Sequence, residues 1–174
     1  GETTCDGKKK MYEMLGELKD VHVIHLPNKP DRERSLESWV MELRHFKEIL
    51  EEKFDVVITD EMLREAIKWG NKERKQMARL YELGRFDPPA ITGIDMRHVM
   101  EGVKYIFDRK ERYEKVQEVL DRCEENWKNG NGPISKNEKR PRILVSGGPS
   151  GGVFEKTIKV IEELGGVIVC YERS

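Results

Sequence analysis

Arg142-Ile143-Leu144-Val145-Ser146-Gly147-Gly148-Pro149-Ser150-Gly151-Gly152 opens the stretch that decides the fold. Arg142 to Ser146, rich in branched apolar side chains, reads as a strand, and Gly147 to Gly152 reads as a glycine-rich turn. Residues 153–164 carry apolar side chains at helical spacing, Gly165-Gly166 stop that helix, and Val167-Ile168-Val169-Cys170 reads as a second strand. Strand, short turn, helix, short turn, strand is a βαβ unit, which demands a parallel pair because the helix carries the chain back to the starting edge.

Upstream of this unit, Asn129-Gly130-Asn131-Gly132-Pro133 through Lys139-Arg140-Pro141 is polar and aperiodic, the composition of a domain boundary. Residues 61–129 before it are helical in pattern. Met62, Leu63, Ala66 and Ile67 begin an apolar face that Met77, Leu80, Tyr81 and Leu83 continue beyond Gly70-Asn71. Asp87-Pro88-Pro89 ends it, since a residue preceding proline avoids helical geometry. Thr92 and Asp95 form a capping pair for a helix bearing Val99, Met100, Val103 and Ile106. A last helix over about 111–127 turns Tyr113, Val116, Leu120 and Cys123 inward, so Cys123 is read as a packing residue.

Nearer the start, Cys5-Asp6-Gly7 opens a helix whose apolar face is Met11, Met14, Leu15 and Leu18, ending near Lys19. Val21-His22-Val23-Ile24-His25-Leu26 reads as a buried strand bounded by Pro27. A loop over 28–31 follows, then a long helix striped by Leu36, Trp39, Val40, Leu43, Phe46, Ile49 and Leu50. Val56-Val57-Ile58 is either a brief strand or an approach to the next helix. The expected organisation is thus 1–60 as the end of a first α/β domain, 61–129 as a helical connector, 130–141 as linker, and 142–174 as the βαβ start of a second α/β domain. So few strands cannot complete a doubly wound sheet, and the chain is expected to be a segment of a larger α/β protein.

Charged residues make up 37% of the 174, yet the net charge is −1, so no basic footprint for nucleic acid stands out. Three dispersed cysteines, Cys5, Cys123 and Cys170, form no CxxC pair, which argues against a disulfide scaffold and for a reducing cytoplasm. No apolar run approaches the roughly 20 residues needed to cross a bilayer. The glycine-rich turn lacks the Lys-Ser or Lys-Thr of a P-loop and is not GxGxxG in frame, which makes ATP binding by this chain unexpected. It is either a structural turn or a phosphate or CoA contact through Gly147, Gly148 and Gly151. His22, His25, His45 and His98 show no metal-binding spacing and are assigned to packing or surface.

Cys5 stands out because a cysteine at a helix start is where backbone N–H groups and nearby lysines favour negative sulfur. Thr3-Thr4-Cys5-Asp6-Gly7-Lys8-Lys9-Lys10 followed by Met11-Tyr12-Glu13 resembles the cysteine motif of the 2-hydroxyacyl-CoA dehydratase family, which includes benzoyl-CoA reductase subunits and double-cubane cluster proteins. Pro88-Pro89-Ala90-Ile91-Thr92-Gly93, the turn 147–152, Glu155-Lys156, Glu162-Glu163-Leu164-Gly165-Gly166 and the strand 167–170 extend that resemblance over essentially the whole chain.

The resemblance implies parts of two Rossmann-like, flavodoxin-like three-layer domains joined by a helical connector. It implies a parent iron–sulfur subunit from an anaerobe that removes water reductively from a 2-hydroxyacyl-CoA to give an enoyl-CoA, a lyase reaction. A sister dehydratase subunit and an ATP-dependent activator would be its partners, and a [4Fe–4S] or related cluster its cofactor. Cys5 maps to one of three cluster cysteines. Another lies in a part not contained here, and the third is replaced in this alignment by Ser174, a poorer soft-metal ligand. One thiolate cannot hold a four-iron cluster, so the isolated chain is expected to be inactive and free of stoichiometric iron. The alternatives are a double-cubane reductase of small molecules and a cluster-free α/β interaction module in which Cys5 is structural.

Overall fold

A computed structural model describes residues 1, 5–147 and 154–172. The chain divides into two compact units, 1–65 and 66–174.

Unit 1 contains α1 (Asp6–Gly16) and α2 (Glu33–Phe54). Helix α1 ends three residues short of the expected Lys19, and the Glu17 and Leu18 N–H groups close its last turn on Met14 and Leu15. The strand expected over 21–26 is reduced to a bridge at Ile24. The Gly1 nitrogen donates to the His22 carbonyl (2.7 Å), while the Gly1 carbonyl accepts from the Ile24 N–H (2.9 Å). One residue bracketed by the i−1 and i+1 positions of its neighbour is the pattern of a parallel pair. Among the described residues, Gly1 and the Glu42 carboxylate, which accepts the His25 N–H at 2.9 Å, bond this segment's backbone. Residues 56–58 resolve as an approach rather than a strand. Asp55 takes a left-handed conformation (φ 50°) at the end of α2, and Glu51 Oε1 accepts the Ile58 N–H at 2.6 Å.

In unit 2, α3 (Asp60–Arg85), which begins in the first unit, leads to α4 (Gly93–Gly102), a short 3-10 turn (Val103–Tyr105) and α5 (Arg109–Lys128). The βαβ unit follows as β1 (Arg142–Val145), α6 (Phe154–Glu163) and β2 (Val167–Tyr171). The two strands pair in parallel, with Ile143 opposite Ile168 and Leu144 opposite Cys170, so Val169 is an extra residue on β2. Leu80 and Leu83 of α3, Met96 and Met100 of α4, Val116 and Leu120 of α5, Ile158 of α6 and Ile168 of β2 form one core with Ala90, Ile91 and Tyr171.

Two glycines let this core close. A Cβ on Gly84 would overlap the Val169 carbonyl, and one on Gly93 would overlap the Ile168 side chain. Polar groups then lock the layers. The Thr92 hydroxyl accepts the Asp95 N–H (3.1 Å), the cap expected from sequence. Arg142 donates to the Gly84 and Phe86 carbonyls, both at 2.9 Å, so a cation on β1 satisfies the end of α3, where carbonyls lack helical partners.

The described residues therefore form a helix-rich α/β structure with a two-stranded parallel sheet. No helix among them is long and apolar enough to cross a membrane.

Candidate functional site

Cys5 occupies the N-cap position of α1 with extended backbone (φ −138°, ψ 155°). Its carbonyl accepts the Lys9 N–H at 3.0 Å, the first bond of the helix, while its side chain makes no capping bond. The thiol is free and exposed. Among the neighbouring lysines, Lys9 faces Asp6 at 3.7 Å and Lys10 pairs with Glu13 at 2.5 Å. Residues 2–4, between Gly1 and Cys5, lie outside the described residues.

In unit 1, an open cleft of about 520 Å³ is lined by Lys29, Arg32, Arg34, His25, Ser35 and Glu42 among others. Glu42 Oε1 accepts the His25 backbone N–H at 2.9 Å, and the Ser35 hydroxyl donates to the Lys29 carbonyl at 2.5 Å. These bonds fix the loop against the start of α2. Sequence reading treated residues 28–31 as a connection only. The available signal was the spacing of three cations over 29–34, diluted there by Asp31 and Glu33.

The carboxyl edge of the second sheet is built around Ser146, Gly147 and Glu172. Gly147 has φ 129°, a backbone region that favours glycine. The Ser146 hydroxyl donates to the Glu172 carboxylate, and the Glu172 N–H bonds the Val145 carbonyl at 2.8 Å. Gly148, Gly151 and Ser174 lie outside the described residues.

Behind this edge, Glu162 joins segments far apart in sequence. Its carboxylate accepts from the Gly93 N–H (2.7 Å), the Ile94 N–H (3.4 Å) and the Ile168 N–H (3.2 Å), so it caps α4 and holds β2. Tyr171 completes the join by donating to the Gly93 carbonyl at 2.7 Å. Burial, followed by the nearby Glu162 charge, pushes its phenol well above the ordinary tyrosine range, so it remains a donor at all physiological pH.

The other cysteines differ from Cys5. Cys123 is half-buried against the unit 2 core, and that burial pushes its thiol up. Cys170 is half-buried within β2, with Sγ 3.8 Å from the Tyr171 carbonyl. No group of three or more His, Cys, Asp or Glu side chains able to hold a metal ion occurs among the described residues. Against an iron–sulfur cluster, Cys5 fits as a single ligand with an accessible sulfur, whereas the described residues do not form a complete ligand set.

A parallel βαβ unit joined to a helical layer, and an exposed thiol at the start of α1, define a helix-rich α/β protein. The chain belongs to the family described as 2-hydroxyglutaryl-CoA dehydratase, D-component, which matches residues 1–174. It is also 41% identical over 172 residues to the Escherichia coli (strain K12) protein named "Putative dehydratase subunit YjiM". That match covers 99% of this chain and 44% of the relative, so the chain spans less than half the length of that protein.

Proposed function

We propose that this chain is a segment of an iron–sulfur subunit of a 2-hydroxyacyl-CoA dehydratase-like enzyme. The whole protein would remove water reductively from a 2-hydroxyacyl-CoA to form an enoyl-CoA, working with a sister subunit and an ATP-dependent activator. The observation that carries the proposal is the free, exposed Cys5 thiol at the N-cap of α1, in a chain that matches the dehydratase family from end to end.

Cys5 is the proposed ligand of a [4Fe–4S] or related cluster, and the remaining ligands come from elsewhere in the full-length protein. A bound cluster of this kind supplies electrons one at a time at low potential. The chain's own part is positional. Helix α1 holds Cys5 at its N-cap, with the thiol exposed. Gly147, Gly148 and Gly151 are proposed as a CoA or phosphate contact after the strand that ends at Val145. In the same proposal, residues 1–60 close one Rossmann-like, flavodoxin-like domain, 61–129 connect, 130–141 link, and 142–174 open a second such domain.

The test uses the full-length protein handled without oxygen. Cys5→Ser should lower the iron and sulfide content and the visible absorbance while leaving far-ultraviolet circular dichroism unchanged. Iron content equal to wild type removes Cys5 as a ligand, and a colourless, iron-free wild type leaves the interaction-module alternative. Turnover of a 2-hydroxyacyl-CoA with activator separates the dehydratase from a small-molecule reductase.

A further inference from the structure

We propose that the parent protein extends the second sheet across β1 alone: a further strand of its own polypeptide lies against the free edge of β1, and β2 is the outer edge. This rests on reading residues 142–174 as the opening of a second α/β domain, and it fixes the direction in which that sheet grows.

Two bonds set the directions of the backbone groups. The Val167 N–H donates to the Pro141 carbonyl (2.9 Å) and the Glu172 N–H to the Val145 carbonyl (2.8 Å), so these groups point across the gap between the strands. Successive residues of a strand point to alternate sides. Arg142 and Leu144 therefore direct their backbone groups away from β2, and Ile168 and Tyr171 direct theirs away from β1.

The outward groups of β2 are already taken by side chains. Glu162 accepts the Ile168 N–H at 3.2 Å, and the Tyr81 hydroxyl donates to the Tyr171 carbonyl at 3.2 Å. Helices also press on this strand. A Cβ on Gly84 of α3 would overlap the Val169 carbonyl, and one on Gly93 of α4 would overlap the Ile168 side chain. A neighbouring strand needs a spacing of about 4.8 Å and the same backbone groups that Glu162 and Tyr81 occupy.

The edge of β1 is the opposite. Among the described residues, none holds the outward N–H or carbonyl of Leu144, and its side chain is 60% exposed. Parallel sheets are covered on both faces and are usually wider than two strands, so this edge is that of an unfinished sheet. The same polypeptide can supply the missing strand, because the matched residues make up only 44% of the Escherichia coli relative. The order is then β2, β1, new strand. Its topological switch point lies between the last two, which opens the ligand crevice at the carboxyl end of β1, beside Ser146 and Gly147.

The experiment is amide hydrogen exchange of the full-length protein without its sister subunit, resolved to single amides by fragmentation mass spectrometry. The Val167 amide, bonded between the strands, is the reference for a formed sheet. The Leu144 amide should exchange about a hundredfold more slowly than an unprotected amide, at any protein concentration. Glu162→Ala should speed exchange at Ile168 about tenfold while Val167 stays slow, since no strand backs β2. Fast exchange at Leu144 beside a slow Val167 overturns the proposal. Fast exchange at Val167 as well removes the sheet itself, and with it the domain reading. Protection of Leu144 only at high concentration gives the edge to a second copy, and protection only after adding the sister subunit gives it to that subunit. Either result overturns the proposal. An Ile168 amide equally slow in Glu162→Ala places a strand on β2 and overturns it too. The wild-type readings decide alone if that variant does not fold. Iron content and turnover play no part in these readings, so failure here leaves the cluster proposal to its own test.

Discussion

Helices of similar amphipathic design behave differently in the two units. In unit 2, α3, α4 and α5 each bury part of their apolar stripe, and Leu80, Leu83, Met96 and Leu120 are fully enclosed. In unit 1, no described residue of α1 or α2 is buried, and Leu18 and Leu36 remain 78% and 68% exposed. Apolar periodicity marks the face able to enter a core, but stabilisation follows the area removed from water. Unit 2 has a sheet and four helical surfaces to bury against. Unit 1 shows an exposed sulfur at a helix start and a cleft bordered by Lys29, Arg32 and Arg34.

Paired substitutions can break this contrast. The largest expected difference is between Leu120→Ala and Leu36→Ala. The first should cost about 3 kcal/mol in urea unfolding of unit 2, from lost burial and a cavity. The second should fall within about 0.5 kcal/mol, as surface changes do. Equal costs would show that the α2 stripe is enclosed in solution.

Glycines sharpen the comparison at a smaller scale. Gly93→Ala must displace Ile168 or the Glu162 carboxylate and is expected to cost about 2 kcal/mol, as overpacking does. Gly16→Ala, with nothing within 4 Å of the added carbon, should instead stabilise by up to about 1 kcal/mol. Thermal unfolding of both variants reads the sign directly.

The smallest effect is electrostatic. Arg79, on α3, bonds Glu124 at 2.6 Å and Asp121 at 2.8 Å, both on α5, and holds the Glu124 carboxyl below its ordinary range. A depressed carboxylate contributes stability above its unfolded pKa and loses that contribution as pH falls through the folded one. Glu124→Gln should therefore cost about 0.5 kcal/mol at neutral pH, allowing for solvent screening. The difference should disappear as pH drops below about 4. A pH-independent difference would assign the effect to packing.

Local patterns carried much of the fold. Thr92 and Asp95 foretold the α4 cap, and alternating glycines and branched residues foretold β1, α6 and β2. They failed where a partner was needed. Residues 21–26 have strand composition but only a bridge at Ile24, because composition does not supply a neighbouring ladder. Glu162 looked like one letter of a motif, while in space its carboxylate joins the start of α4 to β2. The cleft cations were hidden because Asp31 and Glu33 balance them in sequence, whereas only Glu42 joins them in the lining.

Chain order by itself determined the helices, the Thr92 cap, the parallel βαβ unit and the place of Cys5 at a helix start, since these depend on residues a few places apart. Tertiary structure alone decided which apolar stripes are buried, which carboxylates meet which cations, and where Glu162 and Arg142 spend their hydrogen bonds. Those outcomes depend on surfaces separated by tens of residues, and distance along the chain carries no information about distance in space until the chain has packed.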